Sequence, residues 1–366
     1  EHCQAADVIL TYTIPVMDKK ETVRGIWRSA FDDTDAYVEW YFGNVYRDED
    51  AMLHHAGQKL VSSMLLQRYM MTFHGSVVPI SYICGAATVK EARCHGHMGQ
   101  LIEDGLRESF SRGDLFCTLI PANDHLYGYY GRYGFSPAFQ TGVERYTALH
   151  RFGDAHPGYD EAKDCRQEEL FGFFDRMMRR RPCCVQHSAE DFANILEDNR
   201  LDGGTIVATS LNGELKGIAF SAIRDGECVV TDILADDNGA RQATLRLLRQ
   251  YYEEIPITVL AFPGKEDVSA PRGMIRIVDA RRSLAIIAGN NRGLRCNIRL
   301  CDSVISENNA TFVIADGYCV TTDRADMRLD YDIDVEVLTS IVFGNDTTHR
   351  ILDFPTERPF ISLMLD

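Results

Sequence analysis

Two glycines and an arginine lie close together at the start of a predicted helix, in the stretch ARCHGHMGQLIEDG at residues 92–105. The first turn of a helix has unpaired backbone N–H groups at the positive end of its dipole. Gly96 and Gly99 would let a diphosphate approach those groups, and Arg93 would add positive charge. A capping or packing role for the glycines explains this motif equally well. The candidate diphosphate-binding groups are the Arg93 side chain and the backbone of His95, Gly96, His97, Met98 and Gly99.

A second stretch, LYGYYGRYGFSPAF at residues 126–139, follows after one predicted helix and one predicted strand. Together the two stretches resemble the GCN5-related N-acetyltransferases. The diphosphate motif of that family is Gln/Arg-x-x-Gly-x-Gly/Ala, which RCHGHM at residues 93–98 matches except at Met98. The later motif is Tyr-x-Lys/Arg-x-Gly-Phe/Tyr, which YGRYGF at residues 130–135 matches throughout. Neither motif alone is specific for this family. The two motifs together, in this order and at this distance, are specific for it.

The whole chain is similar to a narrower group, the Eis-like (enhanced intracellular survival) acetyltransferases. This resemblance implies acetyl-CoA as the acetyl donor, bound at the glycine turn. It also implies that the backbone at the end of the preceding strand holds the pantetheine arm and the acetyl carbonyl. In this sequence those positions are Ala87, Thr88 and Val89. A backbone donor there would stabilise the charge that develops on the carbonyl oxygen.

Tyr130 is the candidate general acid for the departing thiolate. The pKa of a tyrosine hydroxyl, about 10, is close to that of a thiol, about 8.5, so the proton passes easily between them. The resemblance implies this role for the first tyrosine of the YGRYGF motif. Aromatic packing is the alternative for Tyr130, and it is the interpretation preferred for Tyr127, Tyr129 and Tyr133.

An amine acceptor arrives protonated and needs a base, for which the resemblance implies the C-terminal carboxylate. The sequence ends in RPFISLMLD, and the apolar residues Phe360–Leu365 could bury this tail and hold Asp366 in the site. Similar proteins end in an aromatic residue, so Asp366 is a departure. The base is therefore the main-chain carboxylate, the Asp366 side chain or neither. A free α-carboxyl group, with a pKa of about 3.5, is a poor base unless burial raises that pKa.

The leading functional hypothesis is an N-acetyltransferase acting on a primary amine of a small acceptor, for which a polycationic amine is one candidate. One alternative is acetylation of lysine in peptides or proteins, which needs an open groove in place of a closed pocket. The other is a non-catalytic lipid or ligand carrier that uses a sterol-carrier-like third domain. A homo-oligomer is compatible with the sequence, and the acceptor itself is not specified by it.

Composition limits the alternatives. The chain has 366 residues with a net charge of −16 and no extended basic patch, which argues against a nucleic-acid partner. No apolar run is long enough to span a membrane, and no secretory signal is recognisable at the start. The eleven cysteines are an odd number without a Cys-x-x-Cys pair. Reduced thiols and a cytoplasmic location are expected. His95 and His97 lack a third ligand nearby in the sequence, so no metal is predicted.

The periodicity of the chain predicts an α/β (α+β) fold with mixed, mostly antiparallel sheets. A catalytic acetyltransferase domain is predicted at 1–148 and a second, acetyltransferase-like domain at 149–264. The second repeats the order of strands and helix but has no glycine motif before the helix ARQATLRLLRQYY. A small α+β domain, sterol-carrier-like by resemblance, is predicted at 265–366 and would supply the C-terminal carboxylate.

Overall fold

The computed structural model describes residues 18–153, 158–262, 269–344 and 352–365. In these ranges the chain forms one sheet of twelve strands and one of four, with helices packed against them. Most neighbouring strands are antiparallel, and three pairs are parallel. The predicted fold class is therefore confirmed.

The first third of the chain contains two helices, then strands interrupted by two further helices. Asp18 and Thr34 start the first two helices, because each side chain accepts a hydrogen bond from a backbone N–H of the first turn. Gly57 and Gly75 each lie in a hairpin turn between two successive strands, and both have positive φ. The elements are α1 (Lys19–Ala30), α2 (Asp35–Asn44), β1 (Ala51–Ala56), β2 (Lys59–Phe73), β3 (Ser76–Thr88), α3 (His97–Ser111), β4 (Phe116–Leu119), α4 (His125–Gly131) and β5 (Ser136–Tyr146).

The middle third repeats a meander of strands followed by a helix and a parallel strand. Two-residue turns connect the strands of this meander, and the first, Asn212-Gly213, has positive φ at both residues. The elements are β6 (Tyr159–Glu161), α5 (Gln167–Arg179), β7 (Val185–Gln186), α6 (Ala189–Leu201), β8 (Thr205–Leu211), β9 (Glu214–Arg224), β10 (Glu227–Ala235), α7 (Asn238–Tyr251) and β11 (Ile257–Ala261).

The last third contributes one strand to the large sheet and forms the small sheet, whose strand order is β15-β14-β13-β16. Two of its strands, ATFVIA and YCVTT, pair antiparallel, and the helix VEVLTSIV follows the last strand directly. The elements are β12 (Ser269–Ile277), α8 (Ala280–Asn290), β13 (Cys296–Cys301), β14 (Ala310–Ala315), β15 (Tyr318–Thr322), β16 (Tyr331–Asp334) and α9 (Val335–Val342).

The large sheet runs through all three predicted domains. Its order is β1-β2-β3-β4-β12-β5-β11-β10-β9-β8-β6. Strand β12 lies between β4 and β5, pairing antiparallel with both, and β5 pairs on its other edge with β11. The predicted domain boundaries remain a prediction, and the strands next to those boundaries share one sheet.

The end of the chain is held in the interior. Phe360 forms a parallel bridge with Cys184, and its N–H donates to the Cys183 carbonyl oxygen at 2.8 Å. The hydroxyl of Ser362 donates to Asp232, which also forms a bidentate ion pair with Arg181. These contacts fix the segment that precedes Asp366.

Among the described residues, no helix has both the length and the apolar character needed to cross a membrane.

Candidate active site

Strands β3 and β4 pair over a short distance and then part. Their parallel register runs from Ile80 opposite Phe116 to Ile83 opposite Leu119, where β4 ends, whereas β3 continues to Thr88. The β2–β3 register shifts at the same level, where Gly85 has a φ of +56°. Such a bulge bends a strand. The result is a gap in the sheet beside the last residues of β3.

The start of helix α3 faces open space. Gly96 is its N-cap residue with a φ of +83°, and no side chain caps the helix there. A Cβ atom added to Gly96 would meet no atom within 4 Å. The free N–H groups of the first turn and the positive end of the dipole are therefore available to an anion.

The second glycine of the motif has a different cause. A Cβ atom on Gly99 would collide with the Tyr133 hydroxyl. Gly99 therefore lets α3 pack against the YGRYGF segment, so the packing interpretation applies to Gly99. The open position of Gly96 is the one that suits ligand binding.

Side chains of the turn hold it against the strand. Arg93 is exposed, and its Nε donates to the Thr88 carbonyl oxygen at 3.0 Å. Nδ1 of His95 donates to the Arg93 carbonyl oxygen at 2.7 Å. Nδ1 of His97 lies 3.1 Å from Nε2 of His54, a residue of β1. No cluster of three or more metal-ligating side chains occurs in the described part of the chain.

The three strand-end residues differ in how their backbone is used. Val89 donates its N–H to Val61 O at 2.9 Å, and its carbonyl accepts from Ala92 N. Backbone groups alternate between the two edges of a strand. Thr88 therefore directs its N–H to the edge where β4 has ended. Ala87 is buried and directs its N–H towards β2, like Val89.

Tyr130 lies on α4 and is 7% exposed, in an apolar cluster with Leu119, Met274 and the α3 side chains Leu101 and Ile102. Burial raises its pKa to about 12, and the nearby Cys117 contributes in the same direction. The hydroxyl is therefore protonated throughout the neutral range.

The third segment of the chain fixes the position of the YGRYGF motif. The buried Arg276 of β12 donates from Nε to the Tyr133 carbonyl oxygen at 2.6 Å and from Nη2 to Asp302 at 2.6 Å. Gly134 has a φ of +84°, and a Cβ atom on it would lie 2.6 Å from Val335. The glycine of the motif is thus required by its backbone conformation and by this close approach.

An acidic cavity of about 500 Å³ opens beside the end of β4. Its wall includes Ile120, which directly follows β4, and Leu363 and Met364 of the C-terminal segment. Its charged lining residues are Asp32, Asp33, Asp198, Asp202, Arg224 and Arg272.

Some of these carboxylates have internal partners. Asp33 accepts a hydrogen bond from Trp27 Nε1 at 2.7 Å, and Asp202 forms an ion pair with Arg224. Carboxylates outnumber guanidinium groups in the lining, so the cavity suits a cationic molecule.

The sequence interpretation missed this cavity. Its acidic residues come from the loop after α1 and from the end of α6, which are distant in sequence and have no shared motif. The acidic run FDDTD at residues 31–35 was the one local signal. Of the aromatic run on α2, Tyr41 and Phe42 are fully buried core residues, whereas Tyr37 lines the cavity.

Asp366 lies outside the described residues, so its predicted role as a base is not addressed by these contacts. The residue before it, Leu365, is buried, and Met364 lines the acidic cavity.

Residues 17–138 match the model of the acetyltransferase (GNAT) domain family. The match covers about a third of the chain and includes the gap between β3 and β4, the start of α3 and Tyr130. It confirms the predicted enzyme class, an N-acetyltransferase with acetyl-CoA as donor. No curated protein sequence matches the chain.

Several solved structures share the fold over nearly the full length. A GCN5-related N-acetyltransferase from Anabaena variabilis has a TM-score of 0.73 at 16% identity, covering 93% of this chain and 96% of that chain. Eis1 from Mycobacterium abscessus has a TM-score of 0.73 at 14% identity, covering 94% and 96%. A probable N-acyltransferase from Enterococcus faecalis has a TM-score of 0.77 at 16% identity, covering 94% and 96%. At these identities the likeness establishes the fold alone.

Proposed function

We propose that this protein transfers the acetyl group of acetyl-CoA directly to a primary amine of a small, cationic acceptor. The observation that carries the proposal is the acidic cavity at the end of β4, where β3 and β4 part. A donor lying in the gap would present its acetyl group close to Ile120, and the carboxylates around the cavity would attract an ammonium group.

The donor would be held by backbone groups of the first domain. The diphosphate would accept hydrogen bonds from the first turn of α3, which Gly96 leaves uncovered, with the exposed Arg93 as a further positive charge. We assign the stabilisation of the acetyl oxygen to the Thr88 N–H, because the Val89 N–H is already bonded to Val61. Ala87 and Val89, whose N–H groups point towards β2, would position the pantetheine arm by side-chain contact at the end of the strand.

The chemical step needs one acid and one base. The amine nitrogen attacks the acetyl carbonyl carbon, so that a C–N bond forms and the C–S bond breaks. The CoA thiolate takes the proton of the Tyr130 hydroxyl, and the proton lost from nitrogen goes to the base. Tyr130 recovers its proton from solvent before the next cycle.

The apolar surroundings of Tyr130 support its role as the acid. Burial raises the pKa of the neighbouring Cys117 thiol to about 12, close to the value of Tyr130 itself. A CoA sulfur that leaves in the same cluster would be desolvated in the same way. The phenol and the thiol would then have similar pKa values, which favours proton transfer.

The base is proposed to be Asp366, through its side chain or the main-chain carboxylate. Support comes from the preceding residues, because Leu363 and Met364 line the acidic cavity and Leu365 is buried. Asp366→Asn and a variant lacking residue 366 separate the two carboxylates. Full activity in both variants would exclude Asp366 and leave the proton to another group or to water.

Acetyl-CoA turnover against a panel of amines tests the function. We expect small di- and polyamines to be acetylated faster than neutral amines or lysine-containing peptides, because the cavity is acidic and bounded by the C-terminal segment. Faster turnover of peptides would favour the protein-acetylating alternative. Lipid binding by the third segment without acetyl-CoA turnover would favour a carrier. Cytoplasmic location and homo-oligomer formation remain predictions.

A further inference from the structure

A second cavity, of about 760 Å³, lies at the edge of the large sheet. We call it the edge cavity. It is bounded by β2, the loop between α2 and β1, and the start of α6. Its polar lining residues are Arg47, Asp50, Gln67, Arg68, Tyr69, Arg179, Gln186, His187, Ser188, Glu190, Asp191 and Asn194.

The edge cavity is separate from the proposed active site. On β2, Ser62 is the residue opposite Thr88, and Gln67 lies five residues further along the strand. At about 3.3 Å per residue this places the cavity about 17 Å from the end of β3. The edge cavity and the acidic cavity share no lining residue.

Two buried side chains of this cavity carry an unpaired hydrogen-bond acceptor. Gln186 is 5% exposed, and its Nε2 donates to the carbonyl oxygens of Cys184 and Met178 at 2.9 and 3.2 Å. Because carbonyls only accept, the orientation of this amide is fixed. Its Oε1 is buried without a hydrogen-bond partner among the described residues.

His187 presents an acceptor for a similar reason. It is 5% exposed, and its Nε2 lies 3.0 Å from the Ser362 carbonyl oxygen, so Nε2 carries the proton and donates it. Burial lowers the pKa of His187, which keeps the ring neutral and makes Nδ1 a bare acceptor. Nδ1 is buried and has no partner within the described ranges.

Two further acceptors line the same space. Gln67 uses its Nε2 to donate to the Tyr41 hydroxyl at 3.3 Å, and its buried Oε1 has no partner in the described part of the chain. Asp50 is half-buried, and burial raises its pKa to about 6. A buried acceptor without a donor is costly, and three such acceptors around one cavity, with the Asp50 carboxyl beside them, point to an occupant that donates.

The arginines around the cavity do not change this balance. Arg47 forms an ion pair with Glu190, and Arg179 forms one with Asp175. Arg68 has the buried Asp114 as its partner. An anion would have to compete with these carboxylates, whereas a cation would meet Asp50 and the three neutral acceptors.

We propose that the edge cavity is a binding site for a small ligand that carries a primary ammonium group. Its N–H donors would bond to Gln186 Oε1, His187 Nδ1 and Gln67 Oε1, and its charge would be balanced by Asp50. The site does not depend on acetyl transfer, and it binds its ligand whether or not the proposed function is correct.

The test measures binding of 1,4-diaminobutane by calorimetry to the full chain. Asp32→Asn/Asp198→Asn is used as the background, because it weakens amine binding in the acidic cavity. We expect one amine site per chain to remain in this background. Adding Asp50→Asn should weaken that site by about tenfold or more, because a charge-assisted hydrogen bond is lost. Gln186→Met should weaken it as well.

Two controls keep the result specific. Asp160→Asn removes the same charge from an exposed position that lines neither cavity, and should leave the affinity unchanged. Tetramethylammonium carries the charge without N–H donors and should not bind. The proposal is overturned if no amine site remains in the background, if Asp50→Asn has no effect, or if tetramethylammonium binds as well as the diamine. Asp50→Asn keeps the size and shape of the side chain, so this variant tests the proposal even if Gln186→Met fails to fold.

Discussion

The chain contains two strand–helix–strand units of the same topology that differ in the connection between the first strand and the helix. In the first, β3 leads through residues 89–96 to α3, and β4 returns parallel to β3. In the second, β10 leads to α7, and β11 returns parallel to β10. Gly96 opens α3 without a cap, whereas the Asp237 side chain accepts a hydrogen bond from Ala240 N and closes the start of α7.

The difference extends to charge. Asp236 precedes that cap and is bound by Arg180 at 3.0 Å and by Lys216 at 3.4 Å. Only these two aspartates separate β10 from α7, so the second unit has neither a loop nor a free positive end for a diphosphate. The proposed diphosphate site therefore depends on the connection between strand and helix, because the two units share the same fold.

The largest effect that would sharpen this comparison is expected at Tyr130, which follows the first unit. Tyr130→Phe keeps the ring and its packing but removes the proton, so turnover should fall by about 10²–10⁴-fold with little change in acetyl-CoA affinity. Steady-state kinetics measure both. Tyr127→Phe is the matched control, and it should keep most of the activity. Unchanged turnover in Tyr130→Phe would show that the YGRYGF segment serves packing and does not supply the general acid.

A smaller but still large effect is expected at the open cap of the first unit. Gly96→Val puts a side chain where the diphosphate would meet the backbone, and acetyl-CoA affinity should fall by about 100-fold or more through lost hydrogen bonds to charged oxygens. Gly226→Val is the control, because Gly226 has a φ of +80° against +83° for Gly96 and equally open surroundings.

Both variants carry the cost of a left-handed valine, about 1–3 kcal/mol of folding free energy. Only Gly96→Val should also lose the cofactor. If both keep full acetyl-CoA affinity by calorimetry, the turn before α3 is structural and the contrast between the two units disappears.

The smallest effect is expected at the closed cap of the second unit. Asp237→Ala removes the N-cap of α7 and should lower the free energy of unfolding by about 1 kcal/mol in a denaturant titration. Calorimetry should give one acetyl-CoA site per chain before and after the substitution. Two equivalent sites in the unaltered chain would show that the second unit also binds the donor.

Local features of the fold were predictable because their causes are local. The pair Asn212-Gly213 indicates a hairpin turn, and the apolar run before Gly85 indicates a buried strand. The motif at 93–98 located the start of α3, although a sequence cannot tell the open position of Gly96 from the packed position of Gly99. That distinction depends on Tyr133, which is brought to Gly99 by the tertiary fold.

Features made by distant segments were not predictable. Nothing in the residues of β12 indicates that the strand inserts between β4 and β5, because its apolar pattern would suit any sheet. The acidic cavity joins Asp33 to Asp198 across several elements. The edge cavity depends on which atoms of Gln186 and His187 are already hydrogen-bonded. Their partners are the carbonyl oxygens of Cys184 and Ser362, and the tertiary fold determines that the Ser362 carbonyl lies beside His187.

The position of β12 also bears on how the protein is made. Strand β5 has no neighbour in the large sheet among the described residues 18–148, since β12 and β11 flank it and both are synthesised later. During translation β4 and β5 must therefore wait with unpaired edges until residue 277 has left the ribosome, and such edges invite association with other chains. A fragment ending at residue 148 would contain every acetyltransferase motif and still lack the strands that close its sheet. The catalytic part should therefore be expressed together with the remainder of the chain, and its slow, long-range strand pairing should make refolding sensitive to protein concentration.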